Sequence, residues 1–200
     1  VFITLEGPEG AGKSTLRPPL AARLRAEGHE VVETREPGSG GLGAGIRHLL
    51  LNGEAMTPTA ELFLFLADRA QHVADIIRPA LNRGAWVLCD RHADSTVVYQ
   101  GHARGLDVSL MRQLNAVATE GLRPNLILLL DLDPAIGLAR QDAARRDRLD
   151  AEPITFHQRV RQGFLTEARR EPKRWSVLDA SASTDSVLAA ALAAIHGVNE

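Results

Sequence analysis

One octapeptide limits what this chain can fold into more than any other stretch. Gly7-Pro8-Glu9-Gly10-Ala11-Gly12-Lys13-Ser14 follows the short apolar run from Val1 to Leu5. It fits the pattern G-x-x-x-x-G-K-[ST], whose glycines let backbone N–H groups wrap around phosphate oxygens. Such a loop needs a strand before it and a helix N-terminus after it, because the helix supplies further donors and a positive dipole end. Lys13 brings a compact, mobile charge for the outer phosphates, and Ser14 brings a hydroxyl for Mg²⁺. Of 23 basic residues only Lys13 and Lys173 are lysines, so this chain writes positive charge as arginine almost by default. A glycine-rich turn arising by chance has no reason to carry one of those two lysines.

The rest of the chain extends the same alternation. Short apolar runs at Val1–Leu5, Glu30–Thr34, Trp86–Asp90, Leu126–Asp131 and Trp175–Leu178 lack a polar alternate face, as strands covered on both sides do. Between them lie stretches with apolar residues at three and four spacings, such as Glu61–Leu81 and Leu110–Thr119. Strands alternating with helices predict an α/β fold with a mainly parallel sheet. No repeat or low-complexity linker divides the chain, so residues 1–200 read as one domain. Pro37–Gly45 holds five glycines in nine residues and reads as a loop, and the charge-dense stretch 140–152 reads as a solvated helix–loop outside the core. Pro18 and Pro19 stand out against this pattern. They fall about one turn into the first helix, where each removes a backbone donor at a cost of ~3 kcal/mol, so the helix is expected to bend there or to begin late.

Composition excludes several classes. The net charge of −2 leaves no field that would draw in nucleic acid, and any polyanion binding must be local. The longest apolar run, Val187–Ile195, is far short of the ~18 residues of a membrane span. A single cysteine, Cys89, excludes a disulfide framework or a cysteine-built zinc site and reads as a core thiol. No basic-then-apolar leader is visible, and a cytoplasmic setting is the expectation.

Asp90-Arg91-His92 closes the third strand candidate. In parallel sheets ligands bind beyond the carboxyl ends of strands, so Asp90 is placed to act on Mg²⁺ and Arg91 to face the same cleft. A GTPase would need N-K-x-D and D-x-x-G, and neither occurs. A motor of the larger ATPase classes usually needs a longer chain, whereas a small kinase fits this one.

The spaced motifs comprise Leu5 to Thr15, Thr34-Arg35-Glu36-Pro37-Gly38, Phe65-Leu66-Ala67-Asp68-Arg69-Ala70-Gln71-His72, Asp90-Arg91-His92, Ser95-Thr96, Tyr99-Gln100-Gly101 and Asp147-Arg148-Leu149-Asp150. Together the set resembles the bacterial thymidylate (dTMP) kinase family. The resemblance spans residues 2 to about 180. It implies a three-layer phosphate-loop fold, with a five-stranded parallel sheet flanked by helices and a short lid at about 141–153. It also implies a homodimer that moves the γ-phosphate of ATP to dTMP with Mg²⁺, without nucleic-acid or membrane partners.

Roles follow from the same resemblance. Gly7, Pro8, Glu9, Gly10, Ala11, Gly12, Lys13, Ser14 and Thr15 would hold ATP, with Arg140 against adenine. Ser14 and Asp90 would serve the metal. Arg91 and Arg47 would grip the acceptor's 5′-phosphate, Glu36 would lie near it, and Glu9 would contact the 3′-hydroxyl. Phe65 would stack on thymine, with Arg69 one turn later on its edge and Ser95, Thr96 and Gln100 around it. Tyr99 would crowd the 2′ position. With no arginine in the phosphate loop, the chain is similar to the type with a lid arginine. Arg148 matches best and would act with Lys13 and Arg91 in catalysis, while Arg145 and Arg146 lie beside it. Two departures stand against the family pattern. Ser39, Gly40 and Ala44 replace its usual residues on the way to Arg47, and Pro18-Pro19 follow the phosphate loop. A different monophosphate kinase, or a nucleotide-binding protein without turnover, are the competing readings.

Overall fold

The computed structural model describes residues 1–142 and 147–198. Among these, five strands form one parallel sheet: β1 (Phe2–Glu6), β2 (Val31–Arg35), β3 (Trp86–Asp90), β4 (Leu126–Asp131) and β5 (Trp175–Asp179). Their order is β2-β3-β1-β4-β5, with β1 at the centre between β3 and β4. All five strand candidates are present, with ends shifted by one residue at most.

The side-chain alternation of the strands builds a core on each face. Ile3, Leu5, Leu126, Leu128 and Leu130 point to one side. There they meet Leu16, Leu20 and Leu24 of α1 (Lys13–Ala26) and Val187, Ala191 and Ile195 of α9 (Thr184–Val198). Phe2, Val87 and Cys89 point to the other side, against Val73, Ile77 and Ala80. Ile127 and Leu129 follow them, against Phe156, Val160 and Phe164 of α8 (Ile154–Arg170). This two-sided cover explains the near-continuous apolar runs. Cys89 is fully buried.

Four local expectations are corrected. The glycine-rich 37–45 stretch is not all loop, because α2 begins inside it at Gly40 and runs to Asn52. The glycines weaken this helix, but it buries Gly43, Ile46 and Leu50. A Cβ on Gly43 would stand 2.7 Å from an Asp68 carboxylate oxygen, so at this position glycine is what lets the helix pack. Second, α1 does not start late: it opens at Lys13, so of the two expected alternatives a late start is excluded. It runs unbroken through Pro18 and Pro19. The carbonyls left without partners belong to Ser14 and Thr15, both exposed residues that water can reach. Third, the helix expected over 61–81 starts earlier. Here α3 (Pro58–His72) is capped by Thr57, whose side chain accepts the Ala60 N–H. A wide turn at Val73–Ile77 then leads into α4 (Arg78–Asn82). That turn precedes Pro79, whose ring would clash with the Asp75 carbonyl in an uninterrupted α-helix. Finally, the described part of 140–152 is not merely a solvated segment. Leu149 is buried, and Asp147 accepts the backbone N–H groups of Leu149 and Asp150.

Between β3 and β4 lie α5 (Ala93–Thr96), a wide helical turn at Val97–Ala103, and α6 (Val108–Ala118). Between β4 and α8 lies α7 (Pro134–Arg140). No described helix is long and apolar enough to cross a membrane.

Candidate active site

The parallel order 2-3-1 sets the carboxyl ends of three neighbouring strands side by side. From β1 comes the phosphate loop, from β2 Glu36 and from β3 Asp90 and Arg91. The loop is packed tightly. A Cβ on Gly10 would lie 2.0 Å from the Gly137 carbonyl, and one on Gly137 would lie 2.1 Å from the Glu9 carbonyl. Two side-chain-free positions therefore let α7 press against the loop.

Two cavities meet there. The first, of about 330 Å³, is lined by Glu9, Gly10, Lys13, Ser14, Glu36, Arg47, Phe65, Asp90, Arg91, Ser95, Thr96, Tyr99 and Gln100. The second, of about 370 Å³, is lined by Gly10, Ala11, Gly12, Ser14, Thr15 and Arg140 together with residues of α9 and Ala180. Gly10 and Ser14 belong to both. Most of the sequence-predicted residues thus fall into two groups on either side of the loop. Lys13 is buried, and its ammonium donates to the Gly7 and Pro8 carbonyls at 2.9 and 2.8 Å. Burial and the nearby Arg91 charge lower its pKa to about 8. Arg47 donates to the Pro37 carbonyl at 2.8 Å and packs over Gly38, where a Cβ would be 2.6 Å from its Cδ. The departures at Ser39 and Gly40 therefore leave Arg47 on the cavity wall, with the Ser39 hydroxyl tied to the Arg35 carbonyl at 2.6 Å.

Glu9 is the most heavily partnered carboxylate. It accepts from Arg91 at 3.1 Å, from the Tyr99 hydroxyl through a short contact, and from His157 Nδ1 at 3.3 Å. Burial opposes its charge, but His157, Arg91, Lys13 and Tyr99 outweigh it and bring its pKa to about 2. The Arg91 guanidinium sits 5.0 Å over the Tyr99 ring.

Two predicted residues are placed differently from the expectation. Arg69 does not reach the cavity wall. It is fully buried one layer beneath, donating to Glu36 at 2.8 Å, Thr96 at 2.8 Å, Asn115 at 2.6 Å and the His92 carbonyl at 3.1 Å. The spacing of four does put it on the Phe65 side of α3, but four acceptors below the cavity hold it there. Arg148 does not face the phosphate loop. It donates to the Leu50 carbonyl at 3.1 Å and to Glu61 at 2.5 Å, although its neighbours Asp147, Leu149 and Asp150 line the first cavity. Arg145 and Arg146 lie outside the described residues.

Glu61 was not legible beforehand, nor was the pairing of the predicted Glu36 with His72. Glu61 is fully buried and also accepts the Gln100 amide at 2.9 Å, so one carboxylate holds a cavity residue and Arg148 together. Glu36 receives both His72 and His92 through Nδ1, at 2.8 and 2.7 Å. With Arg69 these bonds hold its pKa well below the carboxylate range despite burial. Those three side chains are close enough together to hold a metal. Arg69 already puts a cation on Glu36, so the arrangement is an ion-pair cluster. Ser14 and Asp90 instead offer hard oxygen donors on the open cavity, which suits Mg²⁺.

Glu6, fully buried, is pushed up to about 7, since burial outweighs the Arg91 charge and its hydrogen bonds. Its proton is held more tightly in the folded than in the unfolded chain. Its stabilising contribution is therefore complete below the ordinary carboxylate pKa and is lost as pH rises to about 7. The melting temperature is expected to fall by several degrees over that window, and Glu6→Gln should flatten the fall. An equal slope in both proteins would assign it to other groups.

A central β1, a phosphate loop with its lysine, and two cavities joined at the loop define a phosphate-loop kinase-like α/β protein. The family model for thymidylate kinase matches residues 5–191. The thymidylate kinase of Deinococcus radiodurans is 54% identical over 199 residues, covering 98% of this chain and 96% of that one. That of Thermomicrobium roseum is 52% identical over 98% and 95%. The crystal structure of thymidylate kinase from Ehrlichia chaffeensis superposes with a TM-score of 0.80 at 33% identity, covering 98% of each chain. The chain belongs to the thymidylate kinase family.

Proposed function

We propose that this chain transfers the γ-phosphate of ATP to dTMP, giving dTDP and ADP. By family it is a phosphotransferase acting on dTMP. The observation that carries the reading is the pair of cavities joined at Gly10 and Ser14, since in-line transfer needs two phosphates brought end to end. ATP would lie along residues 7–15 with its base toward Arg140, and dTMP in the first cavity. Lys13 would neutralise the outer phosphates of ATP while Arg91 and Arg47 screen the acceptor phosphate. Ser14 and Asp90 would hold Mg²⁺, which supplies charge neutralisation between the donor phosphates. Phe65 would stack on thymine beside Ser95, Thr96 and Gln100, and Tyr99 and Glu9 would face the sugar.

Arg69 would act on the base site from below, through Thr96 and Glu36. The segment about 141–153 would cover the acceptor, its catalytic arginine being Arg148 once released from Glu61. A cytoplasmic homodimer is part of the same proposal. Exposed Leu42, Leu49 and Phe63 on the neighbouring α2 and α3 are a surface that a second copy could cover.

An ADP-release assay with ATP and Mg²⁺ across a panel of nucleoside monophosphates, with direct detection of the diphosphate, tests the reading. Turnover is expected to be strongest on dTMP and at least ~100-fold weaker on ribonucleotides, because Tyr99 disfavours a 2′-hydroxyl. Faster turnover on AMP, GMP or UMP would keep the kinase and discard the assigned roles of Phe65 and Tyr99.

A further inference from the structure

Glu6 closes β1 directly before the phosphate loop, and its two hydrogen bonds go to the turn that carries Arg91 and to the short α5 that follows it. One carboxylate oxygen accepts the His92 N–H at 2.8 Å, and the other accepts the Ser95 hydroxyl at 2.6 Å. Arg91 itself has φ of 68°, a left-handed backbone that side chains other than glycine rarely adopt. Its N–H is held by the Leu5 carbonyl at 3.0 Å. Two consecutive residues of β1 therefore grip this turn at Arg91 and immediately after it. The Ser95 hydroxyl that Glu6 orients also receives the Arg91 guanidinium at 3.3 Å. No charged group other than Glu6 meets the His92 N–H among the described residues.

We propose that Glu6 is a positioning residue for phosphoryl transfer, pinning the strained Arg91 turn and orienting Ser95 so that the guanidinium faces the acceptor phosphate. The proposal rests on the reading of Arg91 as an acceptor-phosphate ligand. Glu6 touches no substrate, being fully buried beneath the turn. Neither of its hydrogen-bond partners lines the second cavity, and Ser95 lines the first.

Steady-state kinetics on the full chain test this, with each substrate varied in turn and melting temperatures recorded. Loss of two hydrogen bonds to a carboxylate is expected to lower kcat/KM for dTMP about 30-fold in Glu6→Leu, with KM for ATP unchanged. Glu6→Gln keeps an acceptor for the His92 N–H and should return to within about fivefold of the parent. In an Arg91→Ala background, Glu6→Leu should cost no more than about twofold, since its effect runs through the missing guanidinium. An undiminished cost in that background, or equal losses for both substrates, would overturn the proposal. If Glu6→Leu does not fold, Glu6→Asp takes its place. It keeps the carboxyl group and withdraws it by one methylene, and the same acceptor-specific loss is expected. If Arg91→Ala alone leaves kcat/KM for dTMP intact, the reading of Arg91 fails. If Arg91→Ala is costly and the Glu6 variants are not, only the role of Glu6 fails.

Discussion

Lys13→Ala is expected to lower kcat by at least ~100-fold, the scale for losing one preorganised electrostatic stabiliser. The ammonium lies under the phosphate loop in a closed setting, bonded to two carbonyls of that loop. In the proposed mechanism this positive charge stands beside the transferring phosphoryl group, where negative charge develops. Burial lowers its pKa to about 8, which still leaves it charged at neutral pH, and a bound polyphosphate would raise that value further. Arginine is a poor substitute, because its planar fork is larger and cannot rotate its donors among several oxygens. Lys13→Arg is therefore expected to recover only a small part of the rate. The melting temperature of Lys13→Ala should change little, since only two carbonyl contacts are lost. A near-normal kcat in Lys13→Ala would remove Lys13 from the mechanism.

The second large effect concerns stability. Arg69→Met should destabilise the fold by ~3–5 kcal/mol, because it leaves the buried Glu36 carboxylate without its strong cation. At this chain length that corresponds to roughly a 10 °C fall in melting temperature. Four acceptors lose their donor at once: Glu36, Thr96, Asn115 and the His92 carbonyl. Arg69→Lys keeps the charge but not the fork, and is expected to recover less than half of the loss. A melting temperature within about 2 °C of the parent would show that Arg69 is not the keystone of this cluster.

The strand runs and the phosphate loop were legible because each rests on local chemistry. Apolar runs such as Leu126–Asp131 have no polar face to hide, and the spacing of Gly7, Gly12, Lys13 and Ser14 serves a ligand whatever the rest of the chain does. The same kind of reasoning reached Arg69 only in part. A spacing of four sets Arg69 and Phe65 on one side of α3, but cannot tell whether the arginine ends at the cavity or beneath it. Acceptors from four other places in the chain decide that. Glu61 carried no signal at all, since nothing near it in sequence announces that Gln100, Arg104 and Arg148 will converge on it. The helix through Pro18 and Pro19 went against local propensity. Packing of Leu16, Leu20 and Leu24 on the sheet outweighs two lost hydrogen bonds at Ser14 and Thr15, both exposed residues.

By itself, then, the sequence determined the α/β class, the phosphate loop with Lys13 and Ser14, and the family through motifs in register. These depend on short-range periodicity and on ligand chemistry held within a few residues. Only the tertiary structure decided the sheet order that brings Glu6, Glu36 and Asp90 together, and the layer in which Arg69 works. It also decided the pairing of Arg148 with Glu61 and the grip of Glu6 on the Arg91 turn. The reason is physical. A buried charge is placed by the sum of its partners' desolvation and hydrogen bonding, and those partners are assembled only when strands far apart in the chain come to lie side by side.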